Sequence, residues 1–88
     1  ILAKAGRFMM DFSCAITEKT WSAASASAMT ALTAADMCLK GEPVTYALCR
    51  PPGHHAYANR AGGFCFLNNT AIAVEHLRTK HERVAVLD

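Results

Sequence analysis

The chain has 88 residues, a formal net charge of +2 with histidine neutral, and 52% hydrophobic residues. This length allows one domain at most, and a charge this small, without clustered lysine and arginine, gives no support for binding to nucleic acid or to a membrane surface. No apolar run approaches the roughly 18 residues of a membrane-spanning helix.

Four cysteines lie far apart in the sequence and form no Cys-x-x-Cys pair: Cys14, Cys38, Cys49 and Cys65. We interpret them as reduced, mostly buried thiols, which predicts a cytoplasmic protein. Cys65 follows two histidines along the chain, so a thiol nucleophile at this position is an alternative that the sequence leaves open.

A long helix is predicted near residues 18–40, after an irregular surface segment over residues 1–16. Its apolar residues recur at helical spacing: Trp21, Ala28, Leu32, Ala35 and Leu39. Thr17 or Thr20 is the predicted cap at its start, and Gly41 is its predicted end. Because alanine and serine dominate its middle, the helix can lie close to a sheet or to another helix.

The remaining chain predicts two buried strands with a second helix between them. The strands are expected over residues 44–50 and 83–88, and the helix near residues 68–80, with Asn68 or Asn69 as its cap. A strand, helix and strand of more than 30 residues form a βαβ unit, so the strands should be parallel and the crossover right-handed. The predicted fold class is therefore α/β, with parallel strands and flanking helices in three layers.

The loop after the first predicted strand carries the residues best suited to chemistry. Residues 50–56 read Arg-Pro-Pro-Gly-His-His-Ala, and residues 62–66 read Gly-Gly-Phe-Cys-Phe. Asp88 ends the second predicted strand, and the carboxyl ends of parallel strands meet at one edge of a sheet, so we expect Asp88 to reach His54 or His55. A carboxylate that accepts from one ring nitrogen raises the basicity of the other, as a general base or a metal ligand requires.

A simpler interpretation is that His54 and His55 are loop histidines hydrogen-bonded to backbone. The prolines before them, the glycine pair after them and the carboxylate at the next strand end together favour a functional site. His76 and His81 lie among charged residues, on or just after the second predicted helix, and we interpret them as facing solvent. The sequence has no Gly-x-Gly-x-x-Gly or Walker loop, so nucleotide binding has no support.

These motifs, in this order, resemble the histone deacetylase superfamily. The resemblance rests on residues 50–56, on residues 62–69 (Gly-Gly-Phe-Cys-Phe-Leu-Asn-Asn) and on residues 84–88 (Val-Ala-Val-Leu-Asp). Residues 16–21 and the alanine-rich helix resemble its bacterial members, the acetylpolyamine amidohydrolases and histone deacetylase-like amidohydrolases. The resemblance implies an arginase-like α/β fold and a zinc-dependent hydrolase of C–N amide bonds that removes acetyl groups from acetylated polyamines or acetyl-lysine.

The resemblance also implies roles for the catalytic residues. His55 matches the family's general base and acid. His54 matches the second histidine, which acts electrostatically, and its partner is the aspartate matched here by Asp88. In the family that aspartate also helps to bind a structural potassium ion, so Asp88 is the expected potassium ligand.

Substrate-binding roles follow from the same resemblance. Gly63 matches the glycine whose backbone carbonyl meets the substrate, and Phe64 matches a wall of the tunnel that holds the acylated chain. Ser13 falls where the family has a rim residue that touches the substrate, with Asp11 as the alternative.

The family's three zinc ligands and its carbonyl-polarising tyrosine come after Asp88 in the family pattern. We therefore expect residues 1–88 to be an incomplete, N-terminal-to-middle part of a single deacetylase domain, without zinc ligands and inactive alone. The bacterial members suggest a homodimer. The alternative is a non-catalytic fragment or degenerate homologue that binds a partner through its apolar face.

Overall fold

The computed structural model describes residues 9–10 and 15–88, and in these residues two helices pack against each other. Helix α1 runs over Thr20–Leu39 and helix α2 over Asn69–Leu77. Both helices predicted from the sequence are confirmed, and α2 ends three residues before its predicted limit. The buried residues of α1 are all small: Ala24, Ser27, Ala28 and Ala35. Side chains this short let the backbones of the two helices approach closely.

The start of α1 differs from its prediction. Its cap is Lys19, which makes no side-chain capping bond, so the prediction of a threonine cap is wrong. The two threonines bond to the preceding turn instead: Thr17 N donates to Thr20 Oγ1 at 2.8 Å, and Lys19 N donates to Thr17 Oγ1 at 3.2 Å. These bonds use the hydroxyl acceptors that a cap would need.

The other helix boundaries follow their sequence signals. At the end of α1, Gly41 has a φ of +115°, and its N–H and that of Glu42 donate to the carbonyls of Cys38 and Met37. This pair of bonds is a Schellman motif, which satisfies carbonyls that the helix leaves open. At the start of α2, the Asn68 side chain accepts from Ala71 N at 3.0 Å, as an N-cap residue does.

The two predicted strands form no β-ladder in the described residues. The bridges seen there are isolated pairs: Met9 with Ala61 in parallel, and Tyr57 with Arg60 and Gly62 with Cys65 in antiparallel orientation. The parallel pairing of residues 44–50 with residues 83–88 is therefore not observed and stays a prediction. A strand becomes part of a ladder only when a second strand lies within hydrogen-bonding reach.

Residues 44–49 nevertheless alternate between two environments as a strand does. Thr45 Oγ1 donates to Ala34 O at 3.1 Å and Cys49 Sγ donates to Ser27 O at 3.4 Å, so these side chains lie against α1. The side chains between them stay open to solvent: Val44 is 82%, Tyr46 85% and Leu48 78% exposed. One face of this segment is thus packed and the other is uncovered.

Within residues 9–10 and 15–88, no helix combines the length and the apolar character that a membrane crossing requires.

Candidate functional site

The histidine loop is held against the start of α2 by a buried glycine. The loop begins with a cis peptide bond between Arg50 and Pro51. A methyl group placed on Gly53 would lie 2.5 Å from both Asn69 N and Leu67 O, which is far inside van der Waals contact. Only glycine allows the loop backbone to lie this close to the helix.

His54 and Asp88 are 34 residues apart in sequence and in direct contact in the fold. His54 Nδ1 lies 3.0 Å from one carboxylate oxygen of Asp88 and 3.2 Å from the other. A carboxylate only accepts, so Nδ1 carries the proton and donates it. The contact that the sequence predicted is confirmed, and it fixes the ring orientation of His54 at a partly exposed position.

His55 lies between the His54 ring and the backbone of Gly63. The two imidazole centroids are 4.1 Å apart and their planes are tilted by 44°. A Cβ on Gly63 would lie 2.5 Å from His55 Cδ2, so the backbone of Gly63 forms a shelf against this ring. Among the residues that the structure describes, no hydrogen-bond partner meets the His55 ring.

A sharp turn carries Gly63 to this position. Gly63 has a φ of +56° and Phe64 a φ of +63°, both in the left-handed region. A non-glycine residue there costs about 1–2 kcal/mol. The turn is closed by Gly62 and Cys65, which exchange backbone hydrogen bonds of 3.1 and 2.9 Å. Phe64 is 58% exposed in this turn, and its expected role as a tunnel wall stays a prediction.

Cys65 is buried beneath the same turn. Its side chain is completely inaccessible, and Sγ donates to Gly63 O at 3.4 Å. A thiol nucleophile must be reachable by substrate, and reactive cysteines are partly exposed. The geometry therefore favours a structural role for Cys65 over the thiol alternative.

The expected rim residue, Ser13, and its alternative, Asp11, lie outside the described residues, so their predictions stay untested. The chain just before them is placed: Met10 N donates to Ala61 O at 2.8 Å, and Met9 bridges the same residue. This contact brings Met10 beside the segment that leads into the glycine turn.

The sequence missed a polar contact between the two helices. His76 Nε2 lies 3.0 Å from Asp36 Oδ1, and its side chain is half-buried, so the prediction that it faces solvent is wrong. His81 is exposed, as predicted. Lys40 Nζ lies 2.7 Å from the second oxygen of Asp36. The Lys40 hydrogen bond, followed by that of His76, holds the pKa of the Asp36 carboxyl below its ordinary value, and Asp36 raises the pKa of Lys40.

Across residues 9–10 and 15–88, no three histidine, cysteine or acidic side chains come together as a metal site would require. A zinc centre needs about three protein ligands. The described residues therefore do not fit a zinc site, and the expectation that the zinc ligands come after Asp88 stays a prediction. The pair formed by His54 and Asp88 is too small a donor set to test the potassium assignment, which stays a prediction.

Comparison with known proteins identifies the family. The histone deacetylase domain family matches residues 3–88. The chain belongs to this family. It is 58% identical over 88 residues to the acetylpolyamine amidohydrolase of Burkholderia pseudomallei, a match that covers all of this chain and 26% of that protein. It is also 45% identical over 89 residues to acetylpolyamine amidohydrolase 1 of Pseudomonas aeruginosa, again with all of this chain and 26% of that protein.

The fold is similar to that of a solved member of the family. The crystal structure of the Burkholderia pseudomallei acetylpolyamine aminohydrolase superposes with a TM-score of 0.86 at 56% sequence identity, over 93% of this chain and 24% of that one. This likeness is consistent with the predicted arginase and deacetylase fold. The chain spans about a quarter of the length of the curated relatives it matches, 26% for the first two.

Proposed function

We propose that residues 1–88 form the N-terminal-to-middle part of one zinc-dependent deacetylase domain. In this proposal they supply its histidine dyad and part of its substrate tunnel. The observation that carries the proposal is the pair of hydrogen-bond distances, 3.0 and 3.2 Å, between His54 and Asp88, with His55 in ring contact beside them. A loop histidine without a chemical role needs no such partner from a segment 34 residues away.

The proposed chemistry of this segment is proton handling. Because its Nδ1–H donates to Asp88, His54 is held in one tautomer and one ring orientation. His55 is proposed as the group that takes a proton from the attacking water and returns it to the leaving amine. Gly63 and Phe64 are proposed to guide the acylated chain past the dyad, and Ser13 to touch it at the rim.

In this proposal the zinc ligands of the domain come after Asp88, as the family resemblance implies. The described residues bring no three candidate ligands together, and a zinc ion held by other residues would activate the attacking water. Asp88 keeps its proposed second role as a potassium ligand. Its bond to His54 would make that ion a support for the dyad.

The proposed substrates are acetylated polyamines first and acetyl-lysine second. The order rests on the names of the relatives, which are acetylpolyamine amidohydrolases at 58% and 45% identity. The protein is proposed to be cytoplasmic, since the cysteines of the described chain are free thiols: Cys38, Cys49 and Cys65. Homodimer formation stays a prediction from the family resemblance.

The test is turnover by the full deacetylase domain that contains this segment, with His55→Ala beside wild type and added zinc. General acid–base groups contribute about 10²–10⁴-fold, so this variant should lose turnover by that factor on an N-acetylated polyamine while it keeps its zinc. His81→Ala is the matched control, since His81 lies exposed beyond α2.

Two results would contradict the proposal. Loss of zinc in step with loss of rate would make His55 a ligand. No turnover by the zinc-loaded wild-type domain on either substrate would favour the non-catalytic alternative, in which a partner binds the exposed apolar face of residues 44–48.

A further inference from the structure

A buried polar cluster lies directly behind the histidine loop. Ser27 of α1 and Asn69 of α2 are 3% and 6% exposed, and both reach the carbonyl of Pro51. Ser27 Oγ donates to Pro51 O at 2.6 Å. Asn69 Nδ2 donates to Ser27 Oγ at 2.9 Å and to Pro51 O at 3.4 Å. One carbonyl of the loop is thus bonded by both helices at once.

The direction of each bond in the cluster is fixed by its chemistry. Pro51 O only accepts, so Ser27 must give it the hydroxyl proton and Asn69 must present its amide nitrogen. The hydroxyl of Ser27, having donated, accepts from Asn69 and becomes the middle of a relay. The three groups therefore have one consistent arrangement of donors and acceptors, in which both side chains bond to the Pro51 carbonyl.

Neighbouring asparagines hold the two ends of the histidine loop. Asn69 bonds to Pro51 before the dyad, and Asn68 Nδ2 donates to Ala56 O, just after it, at 3.2 Å. Between these clamps Gly53 lies against the backbone of Asn69 itself. The loop has three anchors on the first turn of α2, and His54 and His55 project from the span between them.

We propose that Ser27 and Asn69 are positioning residues for the histidine dyad. They fix the Pro51 carbonyl, and through it they set the placement of His54 against Asp88 and of His55 against Gly63. The inference rests on the proposed function of the dyad. Neither residue touches the rings, so both act through the loop backbone. The placement of reacting groups is sensitive to such support, since a shift of about 1 Å can cost about 100-fold in rate.

The kinetic test uses Ser27→Ala, Asn69→Ala and the double variant in the full deacetylase domain. Each single variant should lower kcat by about 10- to 100-fold with KM and zinc content nearly unchanged. Because both side chains act on one carbonyl, the double variant should lose little more than the worse single variant. Thr30→Ala is the matched control: its hydroxyl also lies on α1, and it donates to Ala26 O within the helix.

A second readout does not need turnover. In domain labelled with ¹⁵N-histidine, the ring nitrogen signals of His54 and His55 should move in Ser27→Ala, while those of His76 and His81 stay in place. A wild-type domain without turnover would refute the proposed function, and the ring signals would still decide the positioning role. The positioning role would be overturned if the ring signals did not move and kcat stayed at the wild-type level. It would also be overturned if the kcat losses of the two single variants multiplied in the double variant and followed the loss of Tm.

Discussion

The change Gly63→Ala tests the shelf that holds His55. The new Cβ would lie 2.5 Å from His55 Cδ2, 2.9 Å from Cγ and 3.2 Å from Cβ. The ring cannot swing clear by rotation alone, because its own Cβ is already crowded. Carbon atoms in good contact lie about 3.5–4.0 Å apart, so the ring must move by roughly 1 Å.

Two costs follow from this geometry. Alanine at a φ of +56° carries a backbone penalty of about 1–2 kcal/mol. Forcing a methyl group into a packed site adds about 1–3 kcal/mol. The domain should therefore lose about 2–5 kcal/mol of its free energy of unfolding. Displacement of the His55 ring should lower kcat about 100-fold.

The assay measures urea denaturation and steady-state turnover of the full domain, with Gly41→Ala as the control. Gly41 also has a positive φ, +115°, but in the described part of the chain no atom outside its own local backbone lies within 4 Å of a Cβ built there. The control should lose stability from the backbone alone and keep its kcat. If Gly63→Ala retains wild-type kcat, or if Gly41→Ala loses kcat equally, the shelf does not set the position of His55.

Three further outcomes are expected from single features of the chain. Asp88→Asn should lower kcat in the full domain, because the amide can present either its oxygen or its NH2 group to His54 and no longer fixes the tautomer; unchanged kcat would exclude that role. Wild type should have a larger free energy of unfolding than Asp36→Asn at pH values above the ordinary carboxyl pKa of 3.8, and this difference should vanish as pH falls through the lowered pKa of Asp36. Urea denaturation from about pH 6 to about pH 3 measures it; a difference that grows in acid would contradict the prediction. Residues 1–88 expressed alone should show no deacetylase activity and no cooperative thermal transition, since Leu87 is 98% exposed and each wet, large apolar side chain forgoes roughly 1.5–3 kcal/mol; a sharp transition in the monomer would contradict this.

The features that the sequence predicted well are local. Both helices follow from apolar spacing. Gly41 marks a boundary because it has no Cβ and tolerates a positive φ, and Asn68 marks one because its side chain caps the next helix. The contact between His54 and Asp88 was predicted from the ends of two strands, and it forms although the described residues contain no ladder between them. The strand pairing depends on neighbours at ladder distance, which no local pattern reveals.

The features that the sequence missed are long-range contacts. The residues that make them are each already accounted for by their own helix, so nothing in the sequence indicates a distant partner. Ser27 reads as one more small residue of an alanine-rich helix, and Asn69 as a second candidate cap. Their bond joins positions 42 residues apart. His76 sits in a charged stretch that indicates a solvent face, and its partner Asp36, 40 residues away, reads as an isolated acid of the alanine-rich helix. Only the close packing of α1 on α2 brings each pair together.

The two site glycines show how this segment contributes to chemistry. Gly53 lets the loop lie on the start of α2, and Gly63 lets the turn lie on the ring of His55. Both contacts are made by backbone, which cannot rotate away as a side chain can. The dyad is thus held on one side by the carboxylate of Asp88 and on the other by fixed main chain. Losses at either glycine should therefore be losses of geometry, with every proton-carrying group of the segment still present.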